Sequence, residues 1–366
     1  MTAMLRRKEA CVFVIRPIEY RDLDLLHQIA VESGPGFTSL PDNPDLLAEK
    51  IRVSVEALRN PDIRPGPETY LFVLEDPMTG EVAGTCGIAA AVGLDTPFYH
   101  YHLSTVVHSS RELGVYNEFK TLNLCNDYTG SSELCTLYLR PHYRQSGAGT
   151  LLSKCRFLFM AEHSRRFNER VIAEMRGFTD PQHTNPFWEG LGRHFFSMDY
   201  DKADYLTGAG NKVFIAELMP KHSIYIHLLP RNAQEIIGRV HPNTEAAHKM
   251  LEMEGFRFEN YIDIFDAGPT LVARQQDIRA ITHSRRLRIS VQEQPEPEGA
   301  QRFLIANTHT TGFRCTTARL KPIRSQVVLS PALAHALNLR DGDQVRAVAL
   351  TTPAGKVITH SSPPSG

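Results

Sequence analysis

The stretch over residues 133–149 constrains this chain more than any other. Residues 133–139 (E-L-C-T-L-Y-L) are apolar and strand-prone, and they run through Arg140-Pro141-His142-Tyr143 into Arg144-Gln145-Ser146-Gly147-Ala148-Gly149. Leu151, Leu152, Cys155, Leu158 and Phe159 then recur at helical spacing. A strand, a glycine turn and a helix in that order put backbone N–H groups, unobstructed by Cβ atoms, at the positive end of a helix. Such a turn receives a diphosphate or a similar anion. A dinucleotide loop would read G-x-G-x-x-G and a Walker loop Gly-Lys-Ser/Thr, and neither is present. Arg144, Gly147 and Gly149 are the candidate anion-holding residues.

The surrounding pattern is mixed α/β. Residues 13–17 form a short strand, and Asp22 is expected to cap an amphipathic helix bearing Leu23, Leu26, Ile29 and Ala30. Residues 69–75 and 81–91 read as strands joined by the turn Pro77-Met78-Thr79-Gly80. A strand is expected over 171–175 and a short helix from Asn185-Pro186-Phe187-Trp188 that closes on Phe195-Phe196. Residues 214–219 read as a strand, 233–237 as helical, and 243–254 as a helix ending at Gly255-Phe256. This order, with R-x-x-G-x-G between strand and helix, resembles acyl-CoA N-acyltransferases of the GNAT class. The two helix-then-aromatic endings suggest a doubled core. The resemblance implies that the strand over 133–139 splays from its neighbour and pairs with a pantetheine arm around Leu137, whose amides then face the thioester carbonyl.

The expected units are an N-terminal extension over 1–12, an acyl-CoA-binding lobe over 13–212, a second lobe over 213–286, and a small β-rich C-terminal unit over 287–366. A polar linker, Q-E-Q-P-E-P-E-G over 292–299, precedes the last of these. With 40 basic and 41 acidic side chains there is no general field to draw the chain onto nucleic acid. No stretch approaches the roughly 20 apolar residues of a membrane helix, and the apolar run after Arg6, Arg7 and Lys8 is too short for a signal peptide, so a cytoplasmic location is expected. The six cysteines are scattered without a C-x-x-C pair, which favours buried free thiols over zinc or disulfides, and no metal is expected. Cys135, inside the motif, is the one cysteine placed to act as a nucleophile.

Acyl transfer to an amine needs a proton taken from nitrogen and one given to the leaving thiolate, and histidine suits both. Among 16 histidines, His241 lies in the loop Gly238-Arg239-Val240-His241-Pro242-Asn243 between two helices. His222 is its rival, and His194 reads as packing. Glu174, Arg176, Asp127 and Glu133 supply charges of both signs nearby, as a guanidinium or a dicarboxylic acyl group would require.

Asn126-Asp127-x-Thr129-Gly130, Ser132-Glu133-Leu134-Cys135-Thr136-Leu137, Ala173-Glu174-Met175-Arg176-Gly177, Pro186-Phe187-Trp188, Ala216-Glu217-Leu218-Met219-Pro220-Lys221-His222, G-R-V-H-P-N-T over 238–244 and Tyr261-Ile262-Asp263-Ile264-Phe265-Asp266 together resemble the arginine N-succinyltransferase family, and especially its beta-type subunits. The resemblance implies transfer of a succinyl group from succinyl-CoA, as cosubstrate, to the α-amine of L-arginine, with L-ornithine as an alternative acceptor and no permanently bound cofactor. It also implies assembly as a homo-oligomer or with a paralogous subunit, which could itself be catalytically silent. By the matched blocks, His241 corresponds to the family's proton donor and Leu137 to its succinyl-CoA contact. Ala148 and Arg140 depart from the family, which carries asparagine and an acidic residue there.

Overall fold

The computed structural model describes residues 13–350, apart from 35, 36, 38, 62, 63, 78, 145, 146, 181–183, 211, 212, 294 and 295. The expected N-terminal extension, and Gln145, Ser146 and Met78 of the two turns, lie outside the described residues. A single mixed sheet of 15 strands carries the rest. β1 (Val14–Pro17), β2 (Thr69–Glu75) and β3 (Val82–Ala89) pair antiparallel in turn. The run T-Y-L-F-V-L-E of β2 is apolar throughout because both its faces are covered. Leu71 and Val73 face α1 (Leu23–Ser33) and α2 (Pro44–Arg59), where Leu26, Ile29, Leu47 and Ile51 are buried. Tyr70, Phe72 and Leu74 face the opposite core.

β4 (His100–Ser110) and β5 (Val115–Cys125) form a long hairpin. β6 (Ser132–Leu139) leads through the glycine turn into α3 (Ala148–Glu162), and β7 (Arg170–Glu174) follows. Leu151, Leu152, Cys155, Leu158 and Phe159 of α3 are all buried on the Tyr70–Phe72 face.

After β7 come a π-helical turn (Trp188–Gly192), α4 (Arg193–Phe196), α5 (Tyr200–Gly208) and α6 (Val213–Leu218). The close turn under Trp188 needs a glycine at 192, where a Cβ would lie 2.3 Å from the indole. Residues 214–219 were expected to be a strand, and here the structure differs. Ile215 and Met219, four residues apart, are the buried pair, and Met219 N–H donates to Ile215 O at 3.0 Å while Ala216, Glu217 and Leu218 face solvent. So short an apolar run fits either period, and packing against a neighbouring core decides it. Asp22 differs as well. It precedes α1, but its carboxylate takes a bidentate pair from buried Arg16, at 2.7 and 2.8 Å, instead of capping the helix. The helix expected over 233–237 lies slightly earlier.

β8 (Ile224–Tyr225), α7 (Arg231–Gln234), α8 (Glu245–Met253), β9 (Arg257–Asp263) and β10 (Pro269–Arg274) extend the sheet in the order β6-β7-β10-β9-β4-β5-β8. Glu254, just past α8, is fully buried and bridges Lys154 of α3 at 2.7 Å and Arg279 of α9 (Arg279–Thr282) at 2.6 Å. Breaking such a buried cluster by removing one partner typically costs about 3–5 kcal/mol, so α3 and α8 are firmly tied.

The C-terminal unit comprises β11 (Arg285–Val291), β12 (Gln301–Asn307), β13 (Cys315–Leu320), β14 (Gln326–Leu329), α10 (Pro331–Ala336) and β15 (Gln344–Ala349). It has its own apolar cluster around Leu287, Ile305, Val327 and Val345. β13 joins it to β1 through Ile15 and Cys315. Among the described residues, no helix is long and apolar enough to cross a membrane.

Candidate active site

β6 is hydrogen-bonded to β3 along most of its length, from Ala89↔Glu133 to Gly84↔Leu139. Its parallel pairing with β7 covers only Ser132↔Val171 and Glu133↔Ile172. β7 continues beside β10 as far as Glu174↔Thr270, so the two strands part beyond Glu133 and open a V in the middle of the sheet. A bulge accompanies the departure. Thr136 adopts φ 56°, and the β3–β6 register slips between Thr85 and Gly87. Gly87 leaves it room, since a Cβ there would lie 2.9 Å from Leu71 and 3.2 Å from the Cys135 sulfur. Leu137, half-buried, follows the bulge on the strand edge that faces the V. An edge of unpaired amides and carbonyls in a sheet accepts an extended chain as an added strand.

At the mouth of the V, Gly147 precedes α3 with φ 80°, a left-handed conformation that disfavours side chains. Gly149, inside the helix, would bring a Cβ no closer than 3.6 Å to its nearest neighbour, Leu139. Among the described residues nothing demands glycine there, although glycine costs a helix about 1 kcal/mol, so close approach of a ligand is the reason that fits. Arg144 folds back so that Nε donates to Leu139 O at 3.3 Å. Arg140 is tied to α1, to Glu32 at 3.1 Å and Gln28 at 3.1 Å, and so is directed away from the turn. A cation that sequence reasoning missed comes from the C-terminal unit: the Arg302 guanidinium lies 3.0 Å from the position of a Gly147 Cβ.

The other arm of the V carries His241. Beyond β7, Gly177 bridges to Val240, and His241 N–H donates to Arg176 O at 2.8 Å. Gly238 N–H donates to Ala267 O at 2.9 Å, and Thr244 holds the His241 carbonyl through both N–H (2.9 Å) and hydroxyl (2.8 Å). Asp266 holds this arm from beneath, accepting Gly177 N–H at 2.6 Å and Gly268 N–H at 2.7 Å. Burial raises the Asp266 pKa well above the usual carboxylate range, and the nearby Asp263 adds to the shift. His241 occupies the cap of the short turn Pro242–Thr244, where its Nδ1 accepts Asn243 N–H at 3.1 Å. The neutral ring then carries its hydrogen on Nε2, as an assignment from this bond.

The rivals fall elsewhere. His222 is exposed next to β8, the last strand of the sheet. His194, expected to pack, is exposed on α4 while Phe196 is buried. Cys135 does lie in the V, but desolvation pushes its thiol up to about 11, which leaves little nucleophilic thiolate near neutral pH. Glu174, at the end of β7, pairs with buried His100 at 2.9 Å. The Asp127 carboxylate accepts the Tyr261 hydroxyl at 2.8 Å. Among the described residues there is no cluster of side chains suited to hold a metal ion.

Known proteins similar to this chain fall in one family. The family model for the arginine N-succinyltransferase beta subunit matches residues 13–280, and the model for its C-terminal domain matches 285–349. Arginine N-succinyltransferases from Salmonella schwarzengrund and Salmonella enteritidis are each 50% identical over 337 residues, covering 92% of this chain and 97% of their own. Among solved structures, arginine/ornithine succinyltransferase subunit AI from Pseudomonas aeruginosa superposes with a TM-score of 0.86 at 38% identity, covering 93% of this chain and 99% of that one.

Proposed function

The chain belongs to the arginine N-succinyltransferase family, and on that premise we propose that it transfers the succinyl group of succinyl-CoA to the α-amine of L-arginine. The observation that carries the reading is the V between β6 and β7, with Leu137 on one arm and the His241 loop hydrogen-bonded to the other. The CoA diphosphate lies at the glycine turn, held by backbone N–H groups of Gly147 and Gly149, with Arg144 and Arg302 at hand. Pantetheine pairs with the free edge of β6, which brings the thioester to the amides beside Leu137.

The amine, once deprotonated, attacks the thioester carbon. The backbone amides receive the charge that develops on oxygen. The C–N bond forms and the C–S bond breaks. The ammonium loses its first proton to solvent. The second, released as the C–N bond forms, makes the His241 ring an imidazolium, which gives a proton from Nε2 to the thiolate, so the ring ends neutral. Transfer is direct, without an acyl-cysteine, in keeping with the neutral Cys135 thiol.

L-Ornithine is the second acceptor to test, because the solved relative from Pseudomonas aeruginosa is described as an arginine/ornithine succinyltransferase subunit. A cytoplasmic location goes with this reading, since buried free thiols such as Cys86, Cys155 and Cys315 suit a reducing compartment. Assembly, homomeric or with a paralogous subunit, has a surface available in the β4–β5 hairpin, where Val107, Leu113 and Tyr116 are exposed. The test is thiol release by the purified chain with succinyl-CoA against a panel of basic amino acids, with product mass measured. No release by the chain alone, restored by a paralogous subunit, would make it a silent partner.

A further inference from the structure

α3 is buried on nearly every side, yet it carries an arginine in its third turn. Arg156 is 1% exposed. Its Nε donates to Ser153 O at 3.0 Å, Nη2 to Ser153 Oγ at 3.3 Å, and Nη1 to Cys135 O at 3.4 Å. All three acceptors are uncharged, and Arg156 forms no ion pair among the described residues. Its two neighbours in kind differ sharply. Lys154 on the same helix is paired with Glu254, and buried Arg16 with Asp22. A guanidinium taken out of water without a counter-charge is costly, by several kcal/mol. Each terminal nitrogen has two hydrogens and makes one of these bonds, so the end of the fork that grips a carboxylate remains available.

Its position matters as much as its charge. Cys135 O lies on β6 just past the last pair with β7, at the base of the V, and Arg156 reaches it from the neighbouring helix. Leu137 and Cys135 are two residues apart, at most about 7 Å along an extended chain, and the bulge at Thr136 shortens that path. A succinyl group spans roughly 4 Å between its carboxyl carbons, and a charge-assisted hydrogen bond adds about 2.8 Å. A thioester carbonyl at the Leu137 amides thus puts the distal carboxylate within reach of Arg156.

We propose that Arg156 binds the free carboxylate of the acyl group and selects a dicarboxylic acyl donor over a neutral one. This rests on the succinyl-transfer reading above and deepens it. Acetyl or butyryl thioesters leave the guanidinium without its counter-charge, so they lose the contact while the CoA part still binds.

The experiment compares succinyl-CoA with butyryl-CoA, a neutral donor of the same chain length, in wild type, Arg156→Met and Arg156→Lys. Wild type prefers succinyl-CoA in kcat/KM. Arg156→Met lowers that preference at least a hundredfold, through the succinyl value alone, and CoA itself binds as before by calorimetry. Arg156→Lys keeps the charge without the fork and falls between. Arg176→Met, on the other arm of the V, is the comparison and leaves the preference largely in place. Equal losses for both donors, or a preference unchanged in Arg156→Met, overturn the assignment. Should Arg156→Met not fold, an undiminished preference in Arg156→Lys together with loss of it in Arg176→Met overturns it equally. A wild type that does not use succinyl-CoA at all refutes the succinyl-transfer reading instead.

Discussion

Replacing His241 separates two roles that the structure combines in one side chain. The ring caps the Pro242–Thr244 turn through Nδ1 and, in the proposed reaction, donates a proton through Nε2. Losing a cap costs about 1 kcal/mol of stability. General acid help is worth ~10²–10⁴-fold, or about 3–5 kcal/mol of barrier. His241→Asn keeps a side-chain acceptor for Asn243 N–H but has no group that can transfer a proton near neutral pH. His241→Ala loses both. The backbone bonds to Arg176 and Thr244 persist in either variant, so the loop stays in place.

The two variants are therefore expected to differ in melting temperature but not in rate. Thiol release with saturating succinyl-CoA and arginine should fall at least a hundredfold in both. Only His241→Ala should also lose about 1 kcal/mol of stability in urea titration. CoA affinity by calorimetry should be unchanged, because the cofactor contacts lie on the β6 side. A His241→Asn enzyme running near the wild-type rate would refute the assignment, and a coincident failure of His222→Ala would identify the right histidine.

Three further outcomes follow from the geometry. Gly147→Val forces a β-branched residue into a left-handed conformation, which costs about 1–2 kcal/mol, and places carbon against Arg302. CoA affinity should drop at least tenfold, about 1.4 kcal/mol, and undiminished binding in a folded variant would count against the diphosphate site. Cys135→Ala should retain most of its activity, and a dead variant together with an acyl adduct trapped on Cys135 would replace direct attack by a covalent route. Desolvation depresses the His163 pKa to about 4, below the ~6.5 of an unfolded chain. The unfolded state therefore takes up a proton first as pH falls, so the stability His163 contributes is full above about pH 6.5 and lost on the way down through about pH 4. His163→Phe should flatten the fall in urea midpoint between pH 7 and pH 5, and an identical slope would show that another group governs it.

The backbone that frames the candidate site could be read before the fold was known because it is local. The apolar strand, the R-x-x-G-x-G turn and the helix behind it follow one another in sequence, and each has its own periodicity or backbone requirement. The proline-bounded loop with His241 is local in the same way. What could not be read is what depends on partners far along the chain. Asp22 has the type and position of a helix cap, yet Arg16 and Glu75 compete for that corner, and the ion pair wins. Phe214-Ile215-Ala216-Glu217-Leu218-Met219 is too short for its period to be decisive. Arg156 did leave a signal. In L-L-S-K-C-R-F-L-F-M the helix is apolar all round, so its two cations had to be buried and needed partners.

Arg302 left no such signal, and it changes how the C-terminal unit is understood. The sequence of that unit singles out no catalytic motif. In the fold it meets α3 at both ends. Arg302 of β12 lies against Gly147 where the helix begins. Arg286 and Arg346 of β11 and β15 hold Glu162 where it ends, at 2.5 and 2.8 Å. A helix of 15 residues is about 22 Å long, so contacts at its two ends fix its axis far better than contacts at one. The N-terminal amides of α3 are useful to a diphosphate only if that axis stays aimed at the mouth of the V. Cation at the start, carboxylate clamp at the end and Glu254 behind together hold it there, and in the proposed binding mode this gives the C-terminal unit a part in holding CoA while the proposed proton donor sits on the opposite arm.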